Sequence, residues 1–241
     1  YFRYPSSSHD VLKGINMKIE RGETVALVGA NGAGKTTLVR MLCRLYDPQA
    51  GKIMIDGKDI KNIDPLQYRK LFSVVFQDFM LYNLSAADNI RAGDISAGDD
   101  RERIRRSAQK AGIHDLLEGL PAGYDTVMGR MFDDSRELSW GEWQKIALAR
   151  ALYRDAEILI LDEPASSLDA GSEYEIFTRF SELAAGRTCI LISHRLANVS
   201  VADRIMVIDG GRVIESGSHS ELIKAGGTYS QLYSQQKSMY R

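Results

Sequence analysis

The residues TVALVGANGAGKTTLVRML, Thr24 to Leu42, pass from an apolar run through a glycine-rich turn into an amphipathic segment. Thr24 to Gly29 reads as a short buried strand. Leu38, Met41, Leu42 and Leu45 recur at helical spacing. Between them GANGAGKTT, Gly29 to Thr37, matches G-x-x-x-x-G-K-[ST] in the strand–turn–helix setting that motif requires. Gly32 and Gly34 allow positive φ and close backbone approach. Successive N–H groups, with the helix dipole behind them, can then ring a phosphate. Gly29, Asn31, Gly32, Ala33, Gly34, Lys35, Thr36 and Thr37 are the phosphate-binding candidates. Lys35 would reach the β- and γ-phosphates of a nucleotide, and Thr36 would offer its hydroxyl to Mg2+.

ILILDEP, Ile158 to Pro164, is the second anchor. Its apolar residues bury a strand and deliver Asp162 at the carboxyl end, where α/β sheets bind ligands. Asp162 is a candidate for the Mg2+ shell, acting through water, and Glu163 can polarise an attacking water as a general base. The plainer alternative is that both carboxylates cap the next helix. FSVVFQ (Phe72 to Gln77) and RTCILISH (Arg187 to His194) read as further buried strands, with the helical SEYEIFTRFSELAAG ahead of the latter. This alternation implies a mostly parallel sheet covered by helices. GKIMIDGKDI and RIMVIDGGRVIESG read as hairpins, turned at Asp56-Gly57 and Asp209-Gly210-Gly211. The tail SQQKSMYR reads as polar and frayed.

From about Asn83 to Leu152 strand-like runs give way to helical patterns broken by Gly and Pro, an inserted helical segment. It ends in ELSWGEWQKIALARAL, where Ser139 and Glu142 have capping-box spacing. That helix entrance is a second place suited to an anion, although Ser139 also reads as an ordinary N-cap.

Lys+Arg 31 against Asp+Glu 32 gives a net charge of -1, which argues against a dedicated nucleic-acid binder. The densest basic run, RERIRRSAQK, reads as a solvated helix face. With 241 residues and 44% hydrophobic content, the chain can form one large α/β domain or a core with a smaller insert. Its two cysteines stand in unrelated contexts, against a disulfide framework or zinc site and in keeping with a reducing compartment. There is no signal peptide, and no apolar run approaches the ~18 residues that span a bilayer. Starting at YFRYP, without Met and within what reads as a strand, the chain looks like a piece of something longer.

In their chain order these motifs resemble the nucleotide-binding domain of an ABC transporter, over essentially the whole sequence. LSWGE resembles that family's signature motif. VVFQD puts Gln77 at its Q-loop glutamine, SSLD puts Asp169 in its D-loop, LISHR makes His194 its switch histidine, and FRYP puts Tyr4 at its adenine-stacking aromatic. The resemblance implies an α/β fold: a P-loop NTPase core (1–82 and 153–241) with a mostly parallel sheet and an antiparallel β subdomain, plus an inserted helical signature subdomain (83–152). It implies ATP and Mg2+, catalytic roles for Glu163, His194 and Gln77, and metal roles for Thr36, Gln77 and Asp162. It also implies head-to-tail pairing with a second such domain, identical or not. Ser139, Gly141 and Glu142 would then serve the partner's ATP, with Asp169 in the same nucleotide-binding set. FQDFMLYNLSAADNI would face the membrane part's coupling helix, or else pack between core and insert. His9, His114 and His219 read as structural.

The segment from Ser193 to Tyr233 resembles exporter-type domains. The expectation is therefore the ATP-hydrolysing motor of an ABC exporter, joined to a transmembrane domain on the same polypeptide, at the cytoplasmic face of the membrane, with no nucleic acid as partner. Two alternatives are a soluble ABC-type ATPase of the repair or translation kind and an ATP-switched regulatory module. The former carries coiled-coil inserts or tandem cassettes, and neither is in this sequence; a GTPase's N-K-x-D is also lacking. The sequence departs from the family at Trp140, which replaces the first signature glycine, at the bulky Trp143, and at Arg130, where exporters often carry an acidic residue.

Overall fold

The computed structural model describes residues 1–129, 135–164, 183–184 and 186–239. The chain forms two compact units. Tyr1–Phe72, Ile158–Glu163 and Gly186–Arg241 make the first; Ser73–Glu157 and Pro164–Ala185 make the second.

The first unit opens with β1 (Thr24–Val28), buried along its whole length, followed by α1 (Lys35–Leu42). A short antiparallel hairpin, β2 (Met54–Ile55) and β3 (Lys58–Asp59), turns at Asp56 (φ 47) and Gly57 (φ 79). Positive φ at both central residues is what a twisted two-residue hairpin demands, and an Asp-Gly pair supplies it. Asp64 then caps α2 (Pro65–Arg69) through the N–H groups of Leu66 and Gln67. The first unit reaches Phe72, where β4 (Phe72–Val75) begins.

In the second unit follow α3 (Ala86–Arg91), α4 (Arg101–Ala111), α5 (His114–Glu118) and α6 (Trp140–Arg154). Helix α4 buries Ile104, Ser107, Ala108 and Ala111, the i, i+3, i+4, i+7 stripe, and turns Arg101, Arg105 and Arg106 to solvent. The basic run is therefore a solvated face, as its pattern predicts. The expected helix over residues 172–186 lies mostly outside the described residues; Leu183 and Ala184 are helical, and Leu183 is buried.

The first unit resumes with β5 (Ile158–Asp162), β6 (Thr188–Ile192), β7 (Arg204–Asp209), β8 (Arg212–Gly217), α7 (His219–Ala225) and α8 (Thr228–Met239). Its strands are ordered β5-β6-β1-β7-β8. All neighbours are parallel except β7 and β8, the second predicted hairpin, which pair antiparallel with a bulge between Val207 and Ile208. Strands covered on both faces read as continuous apolar runs, which is why ALV, ILIL and CILI show no alternation. The register sets the site: Ile192 stands opposite Leu27 on one side and Asp162 on the other, so β1, β5 and β6 end level.

Two expectations need correcting. The opening residues form no strand; Phe2 makes a single bridge to Leu12. The tail is helical as far as Met239, within α8, and its last two residues lie outside the described ones. Polarity alone suggested a loose end, but Tyr229 is fully buried and anchors the helix, and the Glu215 carboxylate accepts from the N–H groups of Thr228 (2.5 Å) and Tyr229 (3.0 Å).

Candidate nucleotide site

Within the first unit, the level strand ends bring the glycine turn after β1, the carboxylates at the end of β5 and the loop after β6 to one edge of the sheet. Gly29 has φ 146, and a Cβ there would lie 2.0 Å from the carbonyl oxygen of Ile208, so backbone passes where no side chain fits. Gly34, at φ 107, begins α1 with no side-chain cap. The first amides of a helix have no partner within it, so this uncapped end presents donors and a positive dipole to an anion. Lys35 is buried. Its Nζ donates to the turn's own carbonyls, Gly29 O at 2.8 Å and Ala30 O at 3.0 Å. Burial lowers its pKa, opposed by the nearby charges of Glu163 and Asp162.

Asp162 is only 1% exposed. Neither carboxylate oxygen has a partner within hydrogen-bond geometry, although the Thr36 hydroxyl lies close enough to pull its pKa down. Burial outweighs that pull and the opposing Lys35 and Arg40 charges, helped by repulsion from Glu163, and pushes the group up to about 6. A buried carboxylate without partners beside a hydroxyl fits a hard cation. Mg2+ takes oxygen donors, needs only one or two from the protein, and fills its shell with water and phosphate. Among the described residues, no cluster of three or more His, Cys, Asp or Glu could hold a metal.

Glu163 adopts φ 52, the left-handed region, and its N–H donates to Ile192 O at 3.0 Å. A bulky residue held there is strained, and such strain clusters at functional sites. His194 follows β6 with Nδ1 3.4 Å from Glu163 Oε2; the imidazole is 44% exposed and the carboxylate 12%. Tyr4 is half-buried. Its hydroxyl lies 3.1 Å from Thr37 Oγ1, and its ring meets Phe2 and Tyr46 in T-shaped contacts.

In the second unit, Gln77 is exposed just past β4. The predicted capping box is formed: Ser139 Oγ accepts from Glu142 N, and Glu142 Oε2 accepts from Ser139 N at 2.7 Å. The two tryptophans divide. Trp143 is buried, so its bulk fills the core rather than the helix entrance, whereas Trp140 is exposed with its ring 4.9 Å from that of Phe79. Gly141 and Glu142 are half-exposed beside it. Met80, Leu81, Tyr82 and Leu84 leave an apolar surface exposed after Gln77. Asp169 and Arg130 lie outside the described residues.

The family described as ABC transporter matches residues 12–166. The chain belongs to the ABC transporter family. It is similar to an ATP-dependent lipid A-core flippase of Alkalilimnicola ehrlichii, 45% identical over 232 residues, which are 96% of this chain and 39% of the flippase. It is also similar to multidrug resistance protein 1 of Entamoeba histolytica, 41% identical over 98% of this chain and 18% of that protein. Among solved structures, a bacterial Atm1-family ABC exporter with ATP bound matches with a TM-score of 0.88 and 37% identity, over 97% of this chain and 40% of that one. The chain thus spans well under half the length of these ABC relatives and is an ABC nucleotide-binding domain of exporter type. A membrane-free ABC ATPase is not favoured.

Sequence reasoning missed the residues that hold these loops. Arg150 of α6 donates through Nε and Nη2 to the carbonyl and side-chain oxygens of Asn89 (both 2.9 Å) and through Nη1 to Met80 O (3.0 Å), with its guanidinium 4.6 Å from the Tyr82 ring centroid. Asn89, fully buried, donates in turn to Tyr82, Leu84 and Ser85 carbonyls. The signal was an arginine inside the apolar run IALARAL: a half-buried charge needs partners.

Proposed function

We propose that the chain binds Mg·ATP at the glycine turn and hydrolyses it as the motor of an ABC exporter. Residues 1–82 and 153–241 serve as the ATP-binding core, and 83–152 as the helical signature subdomain. Two such domains pair head to tail, with Ser139, Gly141 and Glu142 of one closing on the nucleotide held by the other and Asp169 beside the shared interface. The membrane region is joined to the same polypeptide, and the domain sits on the cytoplasmic face.

The observation that carries this reading is the level ending of β1, β5 and β6, which gathers Lys35, Asp162, Glu163 and His194 in the first unit. Lys35 leaves its turn carbonyls to meet the β- and γ-phosphates. Thr36 and Asp162, with Gln77 as a further ligand, would hold Mg2+, and the ion would supply positive charge against the transferring phosphoryl group. Glu163 orients and polarises the attacking water, and His194 contacts the γ-phosphate. Tyr4 supports the adenine. Such catalysis is mostly positioning and charge stabilisation.

Glu163→Gln tests the central role. Turnover should fall by about 10²–10⁴-fold, while ATP still binds and a closed pair accumulates on size exclusion. Hydrolysis at the wild-type rate would remove Glu163 from the chemistry.

A further inference from the structure

Helix α8 reaches the nucleotide site through one side chain. Gln236 donates from Nε2 to the carbonyl oxygen of His194 and accepts, through Oε1 at 2.8 Å, the N–H of Leu196. One amide therefore grips the backbone on both sides of Arg195. Inside the same loop Ser193 Oγ accepts from Arg195 N at 3.0 Å and donates to Arg195 O at 3.2 Å. The loop's path is thus held both by a clasp of its own and by one from the last helix.

This grip matters because the His194 ring is not enclosed. It is 44% exposed, and Glu163 Oε2 is 3.4 Å from its Nδ1. An imidazole with so little packing goes where its backbone puts it. The other end of α8 is fixed by the buried Tyr229, whose hydroxyl lies 2.7 Å from His219 Nδ1, and by the Glu215 carboxylate at the first turn. The helix is a strut between the sheet edge at β8 and the loop carrying His194.

We infer that Gln236 is a positioning residue for His194, and that α8 sets the turnover rate by holding the imidazole over the reacting end of the nucleotide. The inference rests on the proposed part of His194 in hydrolysis. An amide is the required chemistry, since a carbonyl must be met by a donor and an N–H by an acceptor. A carboxylate at 236 would accept from Leu196 but repel the His194 carbonyl.

The test is a double-mutant cycle on the full chain, comparing wild type, Gln236→Met, His194→Ala and the double variant by steady-state phosphate release and by ATP affinity. Gln236→Met keeps length and volume while losing both bonds. It should lower kcat about five- to tenfold, the scale of one to two hydrogen bonds, and leave ATP affinity within about twofold. In the His194→Ala background it should change nothing further. Gln236→Glu should be at least as slow as Gln236→Met. If Gln236→Met does not fold, Gln236→Asn, one methylene short, replaces it. Where His194→Ala turns over too slowly for the cycle, histidine-ring NMR decides: the His194 signals should move in the Gln236 variant and those of His9 and His114 should not. An unchanged His194 signal, a wild-type kcat for Gln236→Met, or an equal further loss in the His194→Ala background overturns the inference alone. A His194→Ala chain at the wild-type rate overturns the role of His194, and this inference with it.

Discussion

Helix α1 starts on Gly34, which carries no side chain to cap it, whereas α6 starts on Ser139, whose hydroxyl closes a capping box with Glu142. Both helix ends carry a positive dipole. The first leaves its amides to be satisfied by a ligand, and the buried Lys35 ammonium has to satisfy itself on Gly29 O and Ala30 O. The second satisfies two of its backbone donors internally and places a carboxylate in its own first turn. A phosphate is therefore the missing partner of α1 but only an added one for α6. That difference suits a primary grip in one place and a lid in the other.

The comparison breaks most visibly at Lys35. In Lys35→Ala the uncapped end keeps its amides but loses the charge proposed to meet the phosphates. ATP turnover should fall more than about 10²-fold, as for other losses of a preorganised charge donor, with the melting temperature retained. A variant that still hydrolyses ATP within a few-fold of wild type would mean that the amides alone suffice and that the two helix ends differ less than their caps suggest.

A smaller effect comes from Asp162, held at about 6 by burial against roughly 3.9 for an unfolded aspartate. The folded state binds this proton more tightly than the unfolded one, so stability without cation falls as pH rises from about 4 to 6, and above that the ionised carboxylate is a standing cost. Mg2+ needs the ionised form. Its ATP-dependent affinity should therefore drop by up to about tenfold per pH unit below 6, measured by titration calorimetry across that range. Asp162→Asn should flatten the dependence and stabilise the cation-free chain above pH 6 by about 1–2 kcal/mol. A flat profile in the unsubstituted chain would show that Asp162 is not the group that takes the cation.

Legibility followed how local the physics is. The turn at Gly29 to Thr37, the buried strand before it and the box at Ser139 each depend on residues a few positions apart, and all are visible in the string. The parallel sheet was legible because strands buried on both faces cannot alternate. The level ending of β1, β5 and β6 was not, since its register is fixed by long-range pairing, across more than a hundred residues between β1 and β6 and about thirty between β5 and β6. Gln236 and Arg150 escaped for the same reason: a side chain that serves a distant backbone leaves no periodic trace. The tail misled because a polar helix held by one buried tyrosine and one distant carboxylate looks, by composition, like a loose end.

The smallest effect is at Ser139. Removing its hydroxyl costs α6 a cap, about 0.5–2 kcal/mol, visible in thermal unfolding. If the lid acts on a partner's nucleotide, Ser139→Ala should bind ATP on its own glycine turn as tightly as wild type and still hydrolyse it several-fold more slowly. Mixing sharpens this. Lys35→Ala and Ser139→Ala chains are each defective alone. Paired head to tail, they place the first chain's intact Ser139 against the second chain's intact Lys35, so one whole site returns in each mixed pair; with half the pairs mixed at random, the restored sites should bring turnover up by about a quarter of wild type. Recovery cannot arise if Ser139 serves only its own chain. A mixture no faster than its parts, with Ser139→Ala losing stability but no turnover, would reduce the capping box to a device for starting a helix.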